Sequence, residues 1–296
     1  MQRITPFLWF DNQAEEAVEF YASVFNESKR EKSTHYNEAI SNASGQPKGS
    51  VMTVPFQIYG QNFIALNGGP IFKFNPSVSF FVNCKTADEV QTLWDKLSAG
   101  GKALMPLDKY HFSEKYGWIE DKYGVSWQII LAVGDVKQTI IPSMLFVRNV
   151  CGRAEEAINF YTSIFNDSKI LSTFRYGANQ EPDKEGTIAF ADYTLEGQIF
   201  AAMDSAHPHD FAFNEAVSFV VNCESQKEVD YFWQKLSDGG SEGQCGWLKD
   251  KYGMSWQIVP AILIKLLQDK DAEKSKRVMQ AMLQMKKLDI NGLRNA

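Results

Sequence analysis

A chain of 296 residues with 44% hydrophobic content is long enough to bury two cores of ordinary size. Its formal net charge of −6, with no basic face able to neutralise several phosphates, argues against nucleic acid as a partner. No run of 18 apolar residues is present to cross a membrane.

The N-terminal Ile4–Phe10 stretch alternates as a strand, so it is read as structure and not as a signal peptide. Asp11 or Asn12 is placed to cap a helix whose apolar positions Ala14, Ala17, Val18, Tyr21, Val24 and Phe25 follow helical spacing. Strand patterns follow near 29–36, 50–59 and 62–67, punctuated by Ser44-Gly45-Gln46-Pro47, Gly60 and Gly68-Gly69-Pro70. A further strand over 78–83 leads to a helix that Thr86 caps and Gly100-Gly101 stops, and strands near 103–107, 116–120 and 125–131 close the series.

The whole series then recurs. GWIEDKYGVSWQII at 117–130 returns as GWLKDKYGMSWQIV at 246–259, identical at 10 of 14 positions. AEEAVEFY at 14–21 returns as AEEAINFY at 154–161, and VSFFVNC at 78–84 as VSFVVNC at 217–223. A period of 129 to 140 residues fits a duplicated domain and not a solenoid. Each copy reads as two βαβββ units, so the chain divides into residues 1–135, 136–260 and a tail over 261–296, with 132–140 as linker. The tail carries eight Lys/Arg against four Asp/Glu, and Asp271 is its plausible helix cap. Val278, Met282, Met285 and Leu288 lie at helical spacing, a stripe read as packing more readily than as an adaptable docking face.

Four cysteines, Cys84, Cys151, Cys223 and Cys245, show no CxxC spacing, which fits reduced thiols and a cytoplasmic location. No Walker sequence, G-x-S-x-G elbow or G-x-G-x-x-G after a strand is present.

A chain of βαβββ units whose copies end in D-x-x-G-x-x-W-[QE]-[IL] resembles the vicinal-oxygen-chelate superfamily, and more narrowly its PhnB-like branch. The carrying residues are Phe213–Phe219, Trp233 with Lys235-Leu236 and Gly239-Gly240, the run Cys245–Gln257, and the tail Arg277–Lys287. The resemblance implies an α+β fold of four tandem βαβββ units: two glyoxalase-like domains, each a curved mixed sheet around a cleft, plus a C-terminal helix. It also implies that the tandem domains can pair internally, as single-domain relatives pair into homodimers, or that the chain itself forms a homodimer, and that a divalent metal sits in the cleft of many relatives. PhnB-like domains often carry a demethylubiquinone methyltransferase label, but no glycine motif for S-adenosylmethionine is visible.

Mapping the superfamily's metal positions onto this chain gives Pro6, Ala65 to Asn67, Ser77 and Gln128 in the first copy, and Ser143, Ala202 to Asp204, Ala216 and Gln257 in the second. Only Asp204 is a serviceable anionic ligand, so the expectation is no metal and no other cofactor. A fallback metal set is Asp204 with His207 and His209 of DSAHPHD, whereas His35 and His111 are assigned no role. Cys245 reads as an inert thiol before a nucleophile. The leading expectation is a metal-free protein that binds or sequesters a small organic ligand in the cleft of the second domain, through Asp204, Cys245 and Gln257. Asn67 and Gln128 are the first-copy counterparts. The alternatives are a metal-dependent lyase, isomerase or dioxygenase, and an interaction platform working through the tail helix.

Overall fold

The computed structural model describes residues 2–269 and 271–296. The first unit runs β1 (Ile4–Phe10), α1 (Ala14–Val24), β2 (Ser28–Arg30), β3 (Thr34–His35), α2 (Glu38–Ser44), β4 (Val51–Ile58) and β5 (Gln61–Asn67). The second is β6 (Val78–Cys84), α3 (Ala87–Ser98), β7 (Lys102–Tyr110), β8 (Ser113–Glu120) and β9 (Ser126–Leu131). The third is β10 (Ile140–Val147), a 3-10 turn, α4 (Ala154–Ile164), β11 (Lys169–Arg175), β12 (Ile188–Leu195) and β13 (Gln198–Ser205). The fourth is β14 (Val217–Cys223), α5 (Gln226–Ser237), β15 (Ser241–Glu242), β16 (Trp247–Lys249) and β17 (Ser255–Pro260), followed by α6 (Ile262–Leu267), α7 (Ala272–Leu283) and α8 (Ile290–Arg294). No described helix is long and apolar enough to cross a membrane.

Two mixed sheets result, and each draws one unit from each copy. Sheet I has the order β15-β16-β17-β14-β1-β5-β4-β2, with β3 also on β4, and sheet II the order β11-β12-β13-β10-β6-β9-β8-β7. The joints are two antiparallel pairs, β1 with β14 (Pro6 opposite Phe219) and β10 with β6 (Pro142 opposite Phe80). Each joint pairs a strand of one copy with a strand of the other, so neither cleft belongs to one copy. The helices cover the convex faces: α1 packs on β4 and β5, α5 on β14, β16 and β17. Between the stacked units of one copy lies the core, where Tyr21, Phe63, Phe80 and Trp127 meet in the first copy and Tyr161, Phe200, Phe219 and Trp256 in the second.

The duplicated motif proves to be the node of that core. Asp250 Oδ2 accepts hydrogen bonds from Tyr161 Oη (2.7 Å) and Trp256 Nε1 (2.8 Å), while Oδ1 accepts from the Tyr252 and Met254 backbone N–H groups (2.9 and 3.1 Å). Asp121 repeats this with Tyr21, Trp127, Tyr123 and Val125. A buried carboxylate with four donors is satisfied, and it joins the first helix of each copy to its last hairpin.

Two local expectations are corrected. Neither Asp11 nor Asn12 caps α1; the N-cap is Gln13 without a side-chain bond, and Asn67 Oδ1 accepts from Ala14 N–H (2.8 Å) across the fold. The tail helix ends at Leu283, so Met285 and Leu288 fall beyond it, although Asp271 does cap it by accepting from Glu273 and Lys274 N–H. Val278 and Leu288 are buried with Leu263, Leu266 and Leu293 in a cluster of their own.

Candidate functional site

Strand alternation sorts cleft from core. Ile4, Leu8 and Phe10 of β1 and Phe63 and Ala65 of β5 are core, so Thr5, Phe7, Trp9, Ile64 and Leu66 face the concavity of sheet I. By the same parity Ser218 and Val220 of β14, Trp247 of β16, and Ser255 and Gln257 of β17 face it from the other side. Cleft II is lined in the equivalent way by Ser79, Phe81, Tyr116, Trp118, Ser126 and Gln128 against Ser143, Ala201 and Met203.

The two clefts share a polar device. Gln257 Nε2 donates to Ser218 Oγ (3.0 Å), and Gln128 Nε2 donates to Ser79 Oγ (2.8 Å). They differ in what meets the other end of the amide. In cleft II the Tyr116 hydroxyl donates to Gln128 Oε1 at 2.5 Å, and the buried phenol fills the concavity beside Phe81 and Ala201. Cys245 stands at the equivalent position in the second copy. Its φ of +58° turns the chain out of the strand, so its Sγ lies 3.6 Å from Met282 O under the tail. Among the described residues no hydrogen bond then reaches Gln257 Oε1.

The walls of cleft I are aromatic. Trp247 stands edge-on to Phe7 (5.7 Å, 89°) and near Trp9 (6.1 Å), and Trp9 is edge-on to Phe72 (5.0 Å). Trp9 Nε1 donates to Gly69 O (2.9 Å), and a Cβ on Gly68 would fall 2.1 Å from the indole, so only glycine allows this approach. Phe7 stands where the other copy has Ser143. In cleft II, Trp118 Nε1 donates to Ser126 Oγ (2.7 Å), whereas the matching Ser255 Oγ of cleft I, like Ser143 Oγ in cleft II, is bonded to none of the described residues. Both of these unpartnered hydroxyls are buried.

The residues expected to share one cleft are not brought together. Asp204 lies on the core side: Oδ1 accepts from Gly152 and Ala154 N–H (2.7 and 3.1 Å) and Oδ2 from Ile188 N–H (3.0 Å). Burial pushes its carboxyl above the ordinary value while these three donors pull it back. Asn67 occupies the same place in the first copy, bonded to Ala14 N–H and to Val51 O, so both are helix-start anchors and not cleft groups. Cys245 faces the tail, and burial raises its thiol, opposite to what a nucleophile needs. Gln257 and Gln128 do face concavities, but different ones.

The fallback metal set also separates. Exposed His207 has its Nε2 3.7 Å from Asp183 Oδ2, His209 bonds Ser205 Oγ (2.8 Å), and Asp204 is committed to backbone. Among the described residues no group of three His, Cys, Asp or Glu side chains is placed to hold a metal ion. Of the positions mapped from the superfamily's metal site, Leu66 and Gln257 face cleft I, and Ser143, Met203 and Gln128 face cleft II. These sets contain no carboxylate, imidazole or thiolate, so they do not fit a divalent cation. Pro6, Ala65 and Ala202, mapped from sequence, point with the core residues of their strands. The groups missed from sequence are Phe7, Trp9 and Ser255, because the repeat hid the fact that β1 completes the cleft of β17.

Residues 2–130 and 138–259 both match the family described as 3-demethylubiquinone-9 3-methyltransferase, and the chain belongs to that family. Its fold is that of the vicinal-oxygen-chelate superfamily. Maize (Zea mays) glyoxalase I is similar in fold, with a TM-score of 0.58 and 11% identity over 90% of this chain and 98% of that one. A PhnB protein from Bacillus cereus is 41% identical over 44% of this chain and 100% of its own length, with a TM-score of 0.41. A Pseudomonas aeruginosa protein, PA1353, is 21% identical over 44% of this chain and 98% of its own, with a TM-score of 0.37. No curated protein matches the chain.

Proposed function

We propose that this protein binds a small, neutral, planar organic molecule in the cleft of sheet I without a metal. The observation that carries the reading is the difference between two otherwise equivalent amides. Gln128 is closed off by Tyr116, whereas Gln257 keeps its carbonyl oxygen unengaged beside the orphaned Ser255 hydroxyl. An aromatic slot with one acceptor and one hydroxyl selects a flat ligand that carries an N–H or O–H donor. Lys249, opposite Ser255 in the sheet, is paired with Glu215 at 2.9 Å and so is not a free counter-charge for an anionic ligand. Gln128 and the packed ring of Tyr116 make cleft II the structural counterpart.

Thermal-shift titration with indole and with benzoate tests this. Indole raises Tm in the wild type and in Gln128→Leu, does so no longer in Gln257→Leu, and benzoate does nothing. An indole shift that survives Gln257→Leu, or no shift at all, overturns the proposal. Stoichiometric Zn or Mn retained after dialysis overturns its metal-free part.

A further inference from the structure

The two sheets end differently at their second-unit edges. Sixteen residues separate Gly101 from Trp118 but only six separate Gly240 from Trp247, so the long β7–β8 hairpin of sheet II shrinks to the two- and three-residue strands β15 and β16 in sheet I. The tail takes the vacated place. Cys245 N–H donates to Met285 O (2.7 Å) and Gly246 N–H to Lys286 O (2.8 Å), and Leu288 sits over Gly246, where an added Cβ would be 3.2 Å from its Cδ1. From this edge α7 reaches α2, which belongs to the β3–β4 end of the same sheet. The convex face between those ends is filled by α5, α1 and the core, so α7 runs along the open, concave side.

We propose that α7, α8 and the segment between them form a displaceable wall of cleft I, and that ligand access requires this wall to undock. The proposal rests on the ligand-binding reading of cleft I. Displacement is favoured by how the wall is held. Its apolar residues form a cluster separate from the main core, with Leu263 and Leu266 of α6 as the anchored end. Among the described residues, the two backbone bonds are joined by Cys245 Sγ on Met282 O (3.6 Å), by Ser275 Oγ and Lys274 bonding Leu267 O and Asp269 at the α6 end, by Gln226, which donates to Leu288 O and accepts from Ile290 N–H, and by the exposed pairs Lys287–Asp230 (2.6 Å) and Lys286–Glu242 (4.0 Å). A small cluster with few polar ties opens as its own unit, below the cost of global unfolding. Exposed pairs weaken with salt, so ionic strength favours the open form.

Cys245 reports the motion, because its thiol lies beneath the wall while Cys84 and Cys223 are buried in the core. In full-length protein carrying Cys151→Ser, labelling with a thiol reagent is expected at Cys245 at least about tenfold faster than at Cys84 and Cys223, and faster again at high salt. Lys287→Glu, which sets like charges against Asp230, is expected to raise the Cys245 rate about three- to tenfold and leave the two core thiols unchanged. Labelling of Cys245 at the same rate as the core thiols, or insensitivity to both salt and Lys287→Glu, overturns the proposal. No ligand enters this assay, so its outcome is independent of whether indole binds.

Discussion

At the scale of single residues, Asp204 and Asn67 show one position serving one purpose with two chemistries. Asn67 accepts from Ala14 N–H and uses its amide to donate to Val51 O. Asp204 accepts from Ala154 N–H, but its second oxygen accepts from Ile188 N–H, the opposite polarity at the matching strand start. The side chains are therefore not interchangeable. Asp204→Asn must turn an NH2 group toward backbone donors, and Asn67→Asp must turn an oxygen toward a carbonyl. Each is expected to cost about 1–3 kcal/mol, read as a lower midpoint in urea. A ligand-contacting role for Asp204 predicts instead an unchanged midpoint and lost binding. The same logic explains why the most repeated motif carries no site: Asp121 and Asp250 are consumed by four donors each, and a core must be rebuilt in both copies.

At the scale of elements, the first turn of α4 is tied to the 250–254 turn by charge. Glu156 takes the Arg153 guanidinium (2.9 Å), Lys251 Nζ (3.2 Å) and Tyr252 Oη (3.0 Å), while Arg153 lies 4.7 Å from the Tyr252 ring. The Arg153 hydrogen bond above all holds the Glu156 carboxyl at about 2, below its ordinary 4.5. A depressed carboxylate contributes stability that is complete above the unfolded value and is lost as pH falls. Wild-type stability should therefore decline between about pH 4.5 and 2 through this group, and Glu156→Gln should flatten that part of the profile. The pair faces solvent and is worth about 0.2–1 kcal/mol, so urea midpoints at low salt are the measurement. An identical acid slope in the variant would remove Glu156 as its source.

Strand and helix positions were legible because their periodicities and the Thr86 and Asp271 caps are local signals. The α1 anchor was not, since Asn67 lies 53 residues from Ala14. The seven-residue α2 has no apolar stripe to announce it. Gln257 and Gln128 were placed in a cleft only by the superfamily resemblance and by no local signal. Their unequal states were not legible, because they depend on Tyr116 in one copy and on a left-handed Cys245 in the other.

At the scale of the molecule, which copy a strand joins is written in no local stretch. The edges of β6 and β14 carry nearly the same sequence, VSFFVNC and VSFVVNC, so either could serve β1 or β10 by pattern alone. The covalent order places β14 on β1 and β6 on β10, and the Arg3 guanidinium locks the first joint by bonding Asn222 O (2.7 Å) and Glu228 (3.1 and 2.5 Å). Excising residues 1–135 would strip both joints at once. It would leave β1 and β6 as unpaired central edges, each with an apolar face and a row of free backbone groups. Because β6 can stand in for β14, two copies of the fragment can satisfy each other, β1 of one pairing with β6 of the other. The fragment is expected to run as a homodimer with two equivalent clefts, measured by light scattering on a sizing column. Each of those clefts would combine Phe7 with Gln128 and Tyr116, a combination absent from the full chain. A stable, folded monomer would show that the joints contribute little, and that the crossed sheets are a consequence of linkage and not its stabilising reason.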